Sequence, residues 1–201
     1  MRWLRIFICG GLLLLLAGIV GFFSLPWLVI SPLPTDAEQL PAADVMIHWI
    51  ELSRSQTDEW VVQLYQQGKA NKIICVSSRV SWDVYAADFT RQHLIALGVP
   101  AENVGTLRLE QEACVAPNIK RVAEFVKVQG WQRTLMITDP TAKTSQLIKY
   151  FQQQRLSLFL TCVPQDRDEL MYQWWKSHWK LQWIMKSAIG VLLDSMYAEC
   201  R

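Results

Sequence analysis

Between Ile6 and Ile30 the chain reads IFICGGLLLLLAGIVGFFSLPWLVI, without a single charged residue. A run of about 20 apolar residues or more crosses the hydrocarbon core of a bilayer as a helix. The apolar region of a cleavable signal peptide is only about 7–15 residues and is followed by a small-x-small site. Here the run is longer and ends in the bulky LPWLVI, so the pattern predicts an uncleaved anchor over residues 1–30. Residues 31–42, with three prolines, read as a short stiff linker.

From residue 43 the pattern changes to short apolar runs alternating with helical periodicity. DVMIHWI (44–50), NKIICVS (71–77), a short run within VPAENVGTLRL, RTLMITD (133–139) and RLSLFLTCV (155–163) read as strands. Between them lie TDEWVVQLYQQGKA (57–70), WDVYAADFTRQHLIALG (82–98), NIKRVAEFVKVQG (118–130) and TSQLIKYFQQQ, all with helical spacing. The first three have glycines at their ends, Gly68, Gly98 and Gly130, as helix C-caps do. Fully apolar strands alternating with helices predict a mainly parallel sheet covered on both faces. The expected class is α/β: a three-layer Rossmann-like domain of about five strands over 43–170, preceded by one transmembrane helix.

Residues 171–201 differ again. Trp175, Trp179 and Trp183 fall four apart with Lys176, Lys180 and Lys186 near them, giving an amphipathic helix. Such a helix suits a membrane interface, where indole rings prefer to sit, and equally suits an aromatic face closing the domain core.

Composition sharpens this picture in three ways. Hydrophobic residues are 51% and charged ones 19% of the 201 residues, with ten tryptophans, which fits contact with lipid. Acids slightly outnumber bases between residues 31 and 170, so the domain lacks the basic face that nucleic acid requires. Arg2 and Arg5 precede the apolar run while SPLPTDAEQL after it carries only acids. The positive-inside rule then places the N-terminus in the cytoplasm and the domain outside, at the cytoplasmic (inner) membrane.

Chemistry is sparse. Cys75 and Cys162 read as small buried hydrophobes; Cys114 and Cys200 lie in polar surroundings where an oxidising compartment permits a bridge. No Cys/His spacing suggests a metal, and no cofactor is expected. His48, His93 and His178 read as packed or surface side chains. GxSxG is absent, and Asp83 with Asp88, or Glu110 with Glu112, read as solvated carboxylates, so conventional hydrolysis is not expected.

In a parallel sheet, ligands bind beyond the carboxyl ends of the strands. The loops expected there are ELSRSQT (51–57), SSRVS (77–81) and TDPTAKTS (138–145), each with hydroxyls and one cation: Arg54, Arg79 or Lys143. With helix N-termini behind them they suit an anionic small molecule such as a phosphate. Helix capping explains many of the same residues: Ser55-x-x-Asp58 is capping-box-like, and Thr141 or Thr144 fits the next N-cap.

The phrases VVQLYQQGKANKIICVSS and LIALGVPAENV, the Asn that opens the next helix, and TLMITD together resemble the YdcF-like family from about Ala43 to Val163. That resemblance implies the α/β fold and a cell-envelope setting. The family's Ser-Gly-Gly after the second strand appears here as Ser77, Ser78 and Arg79. Of its Glu-x-x-Ser-x-Asn-Thr-x-Glu-Asn, only the final asparagine remains, as Asn118. Of Val-Thr-Ser-x-x-His-x-x-Arg, Thr138 remains, with Ala142 and Ser145 at the His and Arg positions. The expected function is therefore a membrane-anchored binding or accessory module with a degenerate site. The alternative is a divergent enzyme acting on a phosphate-bearing envelope precursor or nucleotide-like ligand. The candidate ligand residues are Arg54, Ser77, Ser78, Arg79, Asn118, Thr138 and Lys143.

Overall fold

The apolar runs become strands and the periodic segments become helices. The structure, a computed structural model, describes residues 33–50, 55–110, 115–138 and 143–164 with positions 20, 21, 24, 176, 182 and 184; side chains at 55, 56, 115 and 143–146 lie outside it. In chain order the described elements are β1 (Val45–Trp49), α1 (Ser55–Gln66), β2 (Ile73–Ser81), β3 (Val84–Tyr85), α2 (Ala86–Ala96), β4 (Val104–Leu109), α3 (Val115–Val128), β5 (Arg133–Ile137), α4 (Lys143–Gln153) and β6 (Ser157–Thr161).

Five strands run parallel in the order β4-β2-β1-β5-β6, and the two-residue β3 pairs antiparallel with the far end of β2. The chain winds outward from β1 in one direction and then in the other, an order consistent with Rossmann-like folds. Successive strand side chains point to opposite faces, and this divides the core. On one face Met46, Ile50, Ile73 and Cys75 meet Val61 and Leu64 of α1 and Leu94 of α2. On the other, Val45, Ile47, Ile74 and Val76 meet Ile119 and Val122 of α3 and Leu147 and Phe151 of α4. Gly68, Gly98 and Gly130 all have positive φ just after their helices, as the sequence pattern requires.

The junction after β2 departs from expectation. The sequence reads as a turn at Ser77–Arg79 with a helix opening at Trp82. Instead β2 runs on to Ser81, turns through Trp82 and Asp83, returns as β3, and α2 starts only at Ala86. β2 and β4 pair as far as Ser78↔Leu109, and beyond that point Arg79 and Ser81 pair with Tyr85 and Val84 across a register shift. The β-branched Val80 and Val84 favour this extended hairpin. Trp82 turns the chain at φ 48, a left-handed conformation that short-range preferences would not assign to tryptophan.

The range read as a linker is packed from residue 33 onward. Leu33, Ala37, Leu40 and Ala43 are buried. Thr161 Oγ1 at the end of β6 donates to the Pro34 carbonyl at 2.8 Å, and Lys69 Nζ before β2 donates to the Leu40 carbonyl at 2.6 Å. This segment therefore travels the length of the sheet, from the carboxyl edge to the amino edge, before β1 begins. There Asp44 Oδ2 accepts the amide N–H groups of Gln132 and Arg133 at 2.8 Å each. Those bonds, Arg133's first and Gln132's second, hold its carboxyl below the ordinary 3.8.

Among the described residues no helix is long and apolar enough to cross a membrane. The predicted span contributes only positions 20, 21 and 24 to them, and Trp175, Trp179 and Trp183 lie outside them. Of the tail, Lys176 and Gln182 are exposed and Ile184 is fully buried.

Candidate functional site

The order of strands places the switch point at the carboxyl ends of β1 and β5, where the connections to α1 and α4 depart in opposite directions. Arg54 falls between β1 and α1 and lies outside the described residues; Lys143 opens α4, with its side chain outside the description. Thr138 follows β5, half-buried, and its amide donates to the Thr161 carbonyl at 3.1 Å, extending the β5–β6 ladder.

The other four candidates gather at the paired ends of β2 and β4. Ser77 is buried, and its Oγ accepts the Ala87 amide of α2 at 3.0 Å. An unsatisfied amide at a helix start is the group that would hold a phosphate oxygen; here a hydroxyl from the preceding strand takes it. Ser78 pairs with Leu109. Arg79 lies 3.6 Å from Glu110 Oε2, and Asn118 Nδ2 donates to the Glu110 carbonyl at 3.3 Å. Arg79 and Asn118 thus converge on Glu110, the residue after β4. Thr138 stands apart from this group, because β1 separates β2 from β5 and two strand spacings are about 10 Å.

Two of the carboxylates that read as solvated, Asp88 and Glu110, have cationic neighbours. Asp88 Oδ2 pairs with Arg108 at 3.1 Å, and Glu110 is held by Arg79. Trp49 packs on the α3 and α4 face, while Trp82 is outside and fills nothing.

A cap from Ser77 predicts a measurable cost. Ser77→Ala leaves the Ala87 amide without its acceptor and should lower stability by about 0.5–2 kcal/mol. Urea denaturation should show a shifted midpoint at unchanged slope.

One constellation was not foreseen. His48 Nε2 lies 2.9 Å from Asp58 Oδ1, and His93 Nδ1 lies 2.7 Å from Asp58 Oδ2. His48 and Asp58 are buried, and the His93 ring is nearly half-exposed. Asp58 had read as part of a capping box; instead it turns inward and gives both oxygens to histidines. Burial pushes the Asp58 carboxyl up. The hydrogen bonds from His48 and then His93, with their charge, outweigh it and hold the group below its ordinary 3.8. An ionised carboxylate only accepts, so both imidazoles donate: His48 carries its proton on Nε2 and His93 on Nδ1. His48 Nδ1, the other ring nitrogen, is buried with no partner among the described residues.

The chain matches no protein-family model and no curated protein.

What the triad can do therefore rests on its own geometry. Asp58 holds His93 by Nδ1–H, which leaves Nε2 as a proton acceptor, the orientation in which a carboxylate presents a general base. Among the described residues no hydroxyl or thiol is hydrogen-bonded to that nitrogen. Cys75 lies opposite His48 across β1 and β2, but burial first and the Asp58 charge second push its thiol up to about 12 against the pull of Arg91. It stays protonated at neutral pH and is not a nucleophile. Among the described residues no group of three or more His, Cys, Asp or Glu side chains is arranged to hold a metal ion. The one sequence signal for the triad was His48 itself: it alternates with Met46 and Ile50 on a buried face, and a buried histidine needs a partner.

Proposed function

We propose that this chain is a single-pass membrane protein of the YdcF-like type, at the cytoplasmic membrane. Its Rossmann-like domain stands outside the cytoplasm and serves as a binding or accessory module of the cell envelope. The observation that carries the non-catalytic reading is the way Ser77, Arg79 and Asn118 are engaged. Ser77 Oγ accepts the Ala87 amide, Arg79 faces Glu110, and Asn118 Nδ2 donates to the Glu110 carbonyl, which supports a degenerate strand-end site. The uncharged run Ile6–Ile30 supports the anchor.

Titrating the full chain in detergent with inorganic phosphate and with a nucleoside diphosphate, followed by calorimetry, tests the site. The expected result is no saturable heat up to millimolar ligand. Saturable micromolar binding that Arg79→Ala abolishes would overturn the degenerate site, and turnover of the bound compound would replace this reading with the alternative, a divergent enzyme acting on a phosphate-bearing precursor. One observation favours that alternative: Asn118 Oδ1 is buried without a partner at the strand ends, and a ligand donor would satisfy it.

A further inference from the structure

The hairpin after Ser78 carries more apolar surface than folding explains. Trp82 is 90% exposed, Val80 67%, Phe89 63% and Val84 43%, and Phe89 lies one turn into α2, close behind β3. Trp82 also sits at φ 48. Left-handed backbone costs a residue with a Cβ about 1–2 kcal/mol, which glycine would avoid. A strained conformation that displays an indole to solvent is an outlier of the kind that points to use elsewhere.

Position says what that use is. β2 outruns β4 beyond Ser78↔Leu109, so the hairpin projects past the carboxyl edge of the sheet. The N-terminal segment reaches the domain at the same edge, where Thr161 at the end of β6 holds Pro34. The apolar run ends at Ile30, three residues before the buried Leu33 and so within about 10 Å of it. β6 and β2 are three strand spacings apart, about 14 Å. A bilayer that holds residues 6–30 therefore lies directly against the edge from which Trp82 protrudes.

We infer that the β2–β3 hairpin seats in the headgroup layer of that bilayer, with Val80, Trp82, Val84 and Phe89 as its lipid contact. The inference rests on the anchored reading above. Tryptophan is the side chain that prefers this layer. Asp83 in the same turn keeps the tip at headgroup level, out of the hydrocarbon. Arg79 and Arg108 stand behind the tip, half-exposed and paired to Glu110 and Asp88, outside the apolar contact. The hairpin becomes a second point of attachment, fixing how the sheet is turned toward the membrane.

The test uses the full chain in vesicles of phosphatidylethanolamine and phosphatidylglycerol, with a photoreactive phenylalanine analogue at one position. The control is position 128: Val128 is 81% exposed but ends α3 at the opposite edge of the sheet. Lipid adducts at 82 should exceed those at 128 by about tenfold, the ratio expected for burying part of a large apolar side chain. A probe at 89 should behave like the one at 82 while leaving Trp82 in place. Equal adducts at 82 and 128, or adducts at 82 to protein instead of lipid, overturn the inference. Alkaline carbonate washing separates the two readings. A chain stripped from the vesicles refutes the anchor and the hairpin together; a chain that stays, without lipid adducts at 82 and 89, refutes the hairpin alone.

Discussion

Asp58→Ala should destabilise the domain by about 1–3 kcal/mol, the usual consequence of leaving a buried donor without its acceptor. Both imidazoles would lose their acceptor, at 2.9 Å for His48 and 2.7 Å for His93, and His48 would then have two unpartnered ring nitrogens in the core. Asp58→Asn keeps the shape and one acceptor oxygen but turns its amide NH2, a donor, toward one of the imidazole donors, so its cost should fall between alanine and the native residue. Denaturant unfolding of the full chain in detergent, followed by tryptophan fluorescence, measures both. The pH dependence separates the charge from the packing. A carboxyl held below its ordinary 3.8 contributes stability that is fully present above that value and is lost as pH falls through the lower, folded value. The native protein should lose that stability in the acid limb below pH 3.8, and Asp58→Asn should not show that loss.

The second large effect lies on the opposite face. Phe151 of α4 is fully buried among Ile47, Met136, Leu147 and Leu160, and Phe151→Ala should cost about 3–5 kcal/mol through lost burial and the cavity left behind. Val128→Ala is the matched control: Val128 is exposed, and its truncation should stay within about 0.5 kcal/mol. If both variants unfold at the same denaturant concentration, α4 does not pack as described.

The parallel sheet was legible because its strands are buried on both faces and so read as unbroken apolar runs, and because helical spacing with terminal glycines marks the segments between them. The β2–β3 hairpin was not, since SSRVSWDVY offers no glycine or asparagine at its turn and places tryptophan in a backbone region that residue preferences assign elsewhere. The packed segment before β1 was hidden for a related reason: the prolines of 31–42 resemble a linker, while its few buried residues, Leu33, Ala37 and Leu40, are too sparse to show a period. For the site, hydroxyls at strand-to-helix junctions read as either ligands or caps, and Ser77, read as a ligand residue, accepts an amide at the start of α2. The pairing of His93 with Asp58 joins residues 35 apart in sequence, and no local pattern encodes such a distance.

The path of Leu33–Ala43 also determines how the domain meets mechanical load. A pull applied at residue 33 starts at the carboxyl edge, whereas β1 begins at the amino edge. The segment must peel away before tension reaches the sheet, first Pro34 from Thr161 and later Leu40 from Lys69. Contacts opened one after another resist far less than parallel strands sheared together. Pulled from residue 33, the segment would lengthen while the sheet and the His48–Asp58–His93 cluster stay intact.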